Sequence, residues 1–268
     1  MSLVTLQNGI LEVTISSKGA ELQSIRDANG VERLWQGDPA FWTGRAPILF
    51  PVAGGFKDDC YVLDGKRYPM PKHGFVRKRE WKLESATATV ATFITNEPFE
   101  GFPFDYELRA IFTLADNALS VAYAVNNHGK QTFWYSVGSH EAFATPEGIE
   151  AYEIVFDEVE TPKHSLLDGN LNVHETITLA EQTQTLPLKT EYFAVDALVF
   201  RSLNSRGVTL RSTLHNRQLH VDFPDHNTLL LWTKPGAGYI CIEPWCNAPD
   251  FVDADYHIDQ KPGFIRLL

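Results

Sequence analysis

Apolar and polar side chains alternate along most of this chain with a period of two, the repeat of a strand with one face in a core and the other in water. The alternation is plain over 11–16 (Leu-Glu-Val-Thr-Ile-Ser) and continues over 20–25. It returns at 32–35, after the Asp27-Ala28-Asn29-Gly30 turn, so the opening reads as a hairpin. Asp64-Gly65 marks a second hairpin between strands at 60–63 and 66–68. Three longer antiparallel strands are expected at 86–95, 106–114 and 119–126, and shorter ones at 133–137 and 152–156. The pattern weakens over 161–187, which predicts a long excursion with little regular structure. Strands resume at 197–201, 208–212, 220–223, 228–232 and 239–242. No window keeps a helical period long enough for a major helix. The prediction is therefore an all-β fold. With no repeat, low-complexity tract or linker, it is one domain over 1–268.

Two stretches break the alternation. GRAPILFPVAGGF, 44–56, is an apolar run interrupted by two prolines and a glycine pair. It predicts an irregular crossing at the edge of a core, with Arg45 at its entrance. GYICIEPWCNAPD, 238–250, opens as a strand apolar on both faces and places Glu243 where Pro244 is expected to end it. A carboxylate there is costly unless it is paired, hydrogen-bonded or employed as an acid or base. The structural alternative is an ion pair with an arginine such as Arg45. Trp245 and Trp232 add flat apolar surface of the kind that stacks on a sugar ring.

Histidines are the natural partners for such an acid. His73 lies in Lys72-His73-Gly74-Phe75, where the glycine allows a sharp turn that aims an imidazole into a cleft. His140 follows Gly138-Ser139, small residues that permit close ligand approach. Either could instead be a core or turn histidine bonded to backbone. Asp196 precedes the apolar run 197–200 and, taken alone, reads as a turn residue.

Composition narrows the function classes. A hydrophobic share of 44% over 268 residues supports a large core, and a net charge of −11 makes nucleic acid and anionic membrane poor partners. The start of the chain lacks a targeting pattern, and no run approaches the roughly 18 apolar residues of a membrane helix, so a cytoplasmic protein is expected. Cys60, Cys241 and Cys246 match no zinc or redox spacing and read as small buried hydrophobes. There is no GxGxxG after a strand, no P-loop, no GxSxG elbow and no HExxH. His73, His140 and Glu243 could form a facial metal triad in a metal-dependent sugar isomerase, a reading that leaves the tryptophans unexplained.

Five blocks together resemble the aldose 1-epimerase (galactose mutarotase) superfamily, and within it the LacX-like branch. They are Arg45 in GRAPILFP, His73 in PKHGFVR, His140 in VGSHEAF, Asp196 in VDALVF and Glu243 in WTKPGAGYICIEPW, in the family's order. The resemblance implies a galactose mutarotase-like supersandwich of large antiparallel sheets. It also implies a shallow sugar cleft and no metal or organic cofactor; a small-molecule sugar is the expected partner, and the chain is expected to be a monomer or homodimer. It assigns Glu243 as base on the C1 hydroxyl and His140 as acid at the ring oxygen, with His73 steadying that oxygen. Asp196 would grip sugar hydroxyls, Arg45 would orient nearby oxygens, and Trp232 would be a stacking wall. Two further readings stay open. One is a carbohydrate-binding or sensing protein without turnover. The other is a hexose-6-phosphate 1-epimerase, whose phosphate would need cations from among Arg45, Lys72, Arg77 and Lys78. Specificity is expected to reside in 161–187.

Overall fold

The computed structural model describes residues 1–268. It holds strands joined by turns and five short 3-10 segments, with no α-helix, so the all-β expectation holds. Every strand pairing is antiparallel. The larger core lies among Leu3–Gln7, Leu11–Ser16 and Leu22–Asp27 and the four strands Lys82–Ala86, Val90–Thr95, Tyr106–Ala115 and Ala118–Asn127. The second core lies between two other sheets. One has six strands in the order Glu141–Ala144, Tyr239–Trp245, Thr228–Trp232, Leu198–Phe200, Lys163–Asp168, Leu171–Thr178. The other orders Thr183–Pro187, Tyr152–Glu160, Gly207–Ser212, Gln218–Asp222.

The three long strands expected between 86 and 126 are present, although the first begins at Val90, because residues 87–89 turn the chain back from Lys82–Ala86. Three expectations about where strands lie are corrected. The segment 161–187 is not an excursion: it supplies Lys163–Asp168, Leu171–Thr178 and Thr183–Pro187. Leu171–Thr178 and Thr183–Pro187 are edge strands with several exposed positions, so neither needs the apolar alternation that marks a strand packed on a core. Residues 32–35 form only isolated bridges, to Arg26 and Phe143. Nor does Pro244 end its strand, which runs on to Trp245. The Pro244 carbonyl accepts the Ser139 N–H at 3.0 Å, on the side where Glu141–Ala144 has not yet begun, so its missing N–H interrupts no regular ladder.

The six-stranded sheet has two buried faces, and alternation sorts its side chains between them. Ile240 and Ile242 join Leu229, Leu231, Leu198, Phe200 and Phe143 in the second core. On the opposite face, Tyr239 and Cys241 pack with Ala142, Trp42 and Trp232, while Trp245 packs with Leu230 and Val199. Glu243 belongs to this second set, between Cys241 and Trp245.

The 44–56 crossing is irregular, as expected, but it lies between layers rather than at an edge. Ala46, Ile48, Phe50 and Val52 enter the larger core, and Leu49 and Ala53 turn toward the six-stranded sheet. It is held against 73–75 by a bridge between Phe50 and Gly74 and by Phe75 N–H donating to the Phe50 carbonyl at 3.2 Å. Gly74 has φ +65° and lies so close that a methyl group would overlap the Phe50 carbonyl. Gly65, at φ +74°, has open space instead. Gly65→Ala is therefore expected to cost about 1–2 kcal/mol for left-handed backbone alone, whereas Gly74→Ala should cost about 3 kcal/mol or more because backbone must also move. Thermal denaturation checks this: at ~2–4 °C per kcal/mol for a chain near this size, Gly74→Ala should melt clearly lower than Gly65→Ala. Equal melting temperatures would remove the close approach as a constraint.

Candidate active site

A cleft of about 280 Å³ opens over the tryptophan-bearing face of the six-stranded sheet, near the lower end of the size range of small-ligand sites. His73, His140, Asp196, Trp232 and Glu243 all line it. Arg45 does not. Its guanidinium bonds to the Gln23 side chain at 3.1 Å and the Gln36 carbonyl at 2.8 Å, so it forms no ion pair with Glu243 and has no place in the lining.

Strand register explains how His140 meets Glu243. Glu141 pairs with Ile242, so the residue before Glu141 falls opposite the residue after Ile242, on the same face. His140 Nε2 and Glu243 Oε2 are 3.3 Å apart, with the residues 8% and 2% exposed. The contact is at ion-pair distance without hydrogen-bond alignment, no side-chain hydrogen bond reaches Glu243, and His140 Nδ1 is buried without a partner. Burial raises the Glu243 pKa well above the usual carboxylate range. Lys72 opposes this shift, and Glu141 and Asp196 add to it. Burial also drives His140 down to about 3, with Arg77 and Lys72 acting further against its protonation. No cation lies within ion-pair distance of Glu243, and burial favours the protonated carboxyl beside a neutral imidazole.

His73 is positioned by backbone. It has φ +66°, donates its N–H to the Gly54 carbonyl at 2.7 Å, and accepts the Gly54 N–H on Nδ1 at 3.1 Å. An Nδ1 that accepts cannot carry the proton, so the neutral ring presents Nε2–H as a donor. Burial, then His140, Lys72 and Arg77, keep its pKa well below the usual histidine value, consistent with that tautomer. His73 meets His140 edge-on at 5.7 Å between ring centroids and Trp245 at 5.4 Å.

Three tryptophans frame the pair. Trp42 stacks on His140 at 5.0 Å, Trp232 meets it edge-on at 5.8 Å, and Trp245 anchors its indole N–H on the Ser139 carbonyl at 3.0 Å. Asp196 accepts the N–H of Ala197 on one carboxylate oxygen at 2.9 Å. Sequence reasoning missed Trp42, which sits in a loop without periodicity, and Cys241, whose signal was its place two residues before Glu243 on one strand face. Leu167 and Asn170 reach the cleft from the segment read as irregular.

The donor atoms of His140, Cys241 and Glu243, rather than His73, His140 and Glu243, lie within 4.8 Å of one another. Burial, then Glu243 and Glu141, push the Cys241 thiol pKa well above its usual value, so the group rests as the thiol.

The family described as Aldose 1-epimerase matches residues 2–265. The LacX protein of Lactococcus lactis subsp. lactis is 33% identical over 99% of this chain and 94% of its own. Among solved structures, a galactose mutarotase related enzyme from Lactobacillus acidophilus superposes with a TM-score of 0.93 at 29% identity, covering 99% of this chain and 92% of that one. A galactose mutarotase-like protein from Lactobacillus casei ATCC 334 gives 0.92 at 28%, covering 99% and 95%. The sheets described above are thus a galactose mutarotase-like fold, and the chain belongs to the aldose 1-epimerase family.

Proposed function

We propose that this protein is a cofactor-independent aldose 1-epimerase that interconverts the α and β anomers of a sugar by acid–base ring opening. The observation that carries this reading is the buried His140–Glu243 contact, free of any arginine, in a cleft framed by tryptophans. Opening a pyranose ring requires removing the C1 hydroxyl proton and protonating the ring oxygen. Rotation about C1–C2 and reclosure then deliver the other anomer. One base and one acid suffice, and each such group typically contributes ~10²–10⁴-fold.

In this mechanism Glu243 takes the C1 hydroxyl proton and His140 protonates the ring oxygen. Burial of the pair favours the opposite placement, proton on Glu243 and none on His140. That arrangement is the one ring opening leaves behind, and therefore the one ring closure starts from. The two atoms are 3.3 Å apart, so a small rotation of either side chain lets one proton pass between them and the pair alternates between the two states. His73 donates Nε2–H to the ring oxygen and steadies it, Asp196 accepts from sugar hydroxyls, and Trp232 with Trp42 and Trp245 covers apolar ring faces.

Glu243→Gln keeps size and hydrogen bonding but cannot take a proton. Its kcat for anomer exchange, followed by polarimetry on freshly dissolved α-sugars, should fall at least roughly 10²-fold. A carboxyl held neutral by burial is replaced by a neutral amide, so the melting temperature at pH 7 should not fall. A variant that keeps its turnover would return Glu243 to a structural role. Sugar binding by calorimetry with exchange no faster than buffer in the unmodified protein would favour a binding module.

The pH profile tests the shared proton. With His140 at about 3 and Glu243 raised, the pair holds one proton from about pH 3 up to the raised value. As pH falls, the rate is lost only when a second proton reaches His140; as pH rises, it is lost when Glu243 gives up the shared proton. kcat/KM should therefore stay level from pH 6 down to pH 4. An unperturbed pair would already lose rate as its glutamate protonates near roughly 4.3, and that outcome, with circular dichroism showing an intact fold, would sink the shared-proton account.

A further inference from the structure

Asn247 follows the strand that carries Glu243, and no step of the proposed chemistry uses it. The residue is buried, and its side-chain amide is fully bonded. Oδ1 accepts the Ala53 N–H at 3.3 Å and the Ser136 hydroxyl at 2.5 Å. Nδ2 donates to the carbonyls of Ala53 at 2.9 Å and Ala248 at 2.8 Å. Two bonds accepted and two donated are all that a primary amide can make, so the side chain has one orientation. It grips both backbone groups of Ala53, in a segment without regular secondary structure. Ala53 and Ser136 are themselves fully buried, so water does not replace a lost bond. The Ala53 carbonyl and the Gly54 N–H belong to the same planar peptide unit and point opposite ways. Asn247 therefore holds one end of the unit whose other end reaches His73 Nδ1 at 3.1 Å.

We propose that Asn247 is a positioning residue: by holding the Ala53–Gly54 peptide in one orientation it sets the tautomer of His73, and so keeps Nε2–H available to the sugar's ring oxygen. The use made of that donor rests on the epimerase reading; the tautomer does not. Gly54 has φ +82°, a region that glycine enters and leaves at little cost, so the backbone alone does little to stop the peptide unit from turning over. Trp245 and Pro249 pack against the Gly54 Cα and fix its place, but not the direction of the peptide before it. A half-turn of that unit would present the Ala53 carbonyl to His73 Nδ1 in place of the Gly54 N–H. Nδ1 would then carry the proton to satisfy the carbonyl, and Nε2 would face a ring oxygen with a lone pair against lone pairs. The two bonds from Asn247 to Ala53 oppose that turn. The Ser136 hydroxyl ties the same amide to the segment that runs on to His140, so one side chain spans the supports of both histidines.

The test reads the tautomer by two-bond ¹H–¹⁵N correlation NMR on protein labelled at its histidines, with the His73 signals assigned by their loss in His73→Ala. Without sugar and near neutral pH, where burial keeps His73 uncharged, the unmodified protein should carry the His73 proton on Nε2 alone. In Asn247→Ala the proton should move to Nδ1 or exchange between the two nitrogens; Asn247→Ser takes its place if that variant does not fold. A folded variant whose His73 keeps its proton on Nε2 alone would overturn the proposal, whatever its activity. Melting temperature is not the readout, because losing buried hydrogen bonds lowers it in either case. Anomer exchange by polarimetry tests whether Asn247 acts through His73. Asn247→Ala should lower kcat/KM roughly tenfold, the size of one lost hydrogen bond. Added to His73→Ala it should lower it by less than about twofold more, since the group it positions is already gone. Losses that multiply in the double variant would also overturn the proposal. If no sugar is accelerated, the epimerase reading fails, and the tautomer still decides whether Asn247 sets His73.

Discussion

Glu243 lies on a strand paired along both sides, with Thr228–Trp232 on one and Glu141–Ala144 on the other, and its side chain points away from the second core. No arginine or lysine reaches it within ion-pair distance; the one titratable partner at that range is His140. Taking a carboxylate out of water without a counter-charge is expensive enough that the group holds its proton instead. Much of the local architecture follows from that constraint. The strand register brings an imidazole opposite, Trp42, Trp232 and His73 surround that imidazole, and both members of the pair are held neutral.

Neutrality at rest is useful in a site proposed to move one proton in and one out. An ion pair fixed by an arginine would hold Glu243 ionised and leave it a weak base, while a solvated histidine would exchange its proton with water. Here low polarity pushes the two pKa values in opposite directions, which makes the energies of the two proton placements sensitive to whatever oxygen atoms enter the cleft. His73 is fixed differently. Its tautomer follows from a backbone N–H of Gly54, a donor that does not titrate, so its role as a hydrogen-bond donor is independent of the state of the pair.

What the sequence made legible follows the same physics. Strands with one face in a core, such as Tyr106–Ala115, show alternation and are readable within a residue or so. Edge strands such as Leu171–Thr178 are held largely by backbone pairing, and their exposed side chains leave no periodic trace. Glu243 is readable because an acid following an apolar run is anomalous, His73 because Gly74 follows it, and His140 because the small residues Gly138 and Ser139 precede it. Arg45 misleads for a related reason. It begins an apolar run and carries a charge, but its neighbours in space are Gln23 and Gln36, from a hairpin and a loop whose approach no local pattern encodes. Trp42 is invisible for the same reason, since it becomes part of the site only when its loop folds over His140.

The hairpin formed by Lys163–Asp168 and Leu171–Thr178 completes the argument about specificity. It extends the six-stranded sheet at the edge farthest from Glu141–Ala144, and it contributes Leu167 and Asn170 to the cleft. Asn170 sits in the turn, exposed, with its side chain on Lys72, which comes from the other half of the chain. The acid–base pair is set by register deep in the sheet, where a one-residue change would turn every side chain to the wrong face. The wall around Lys72 and Asn170 instead depends on a turn at the sheet margin and on the small residue at Gly55, both of which can vary without disturbing that register. The geometry thus separates the proposed chemistry, buried and rigidly paired, from the part of the cleft lining that the edge hairpin supplies, placed where the fold tolerates change.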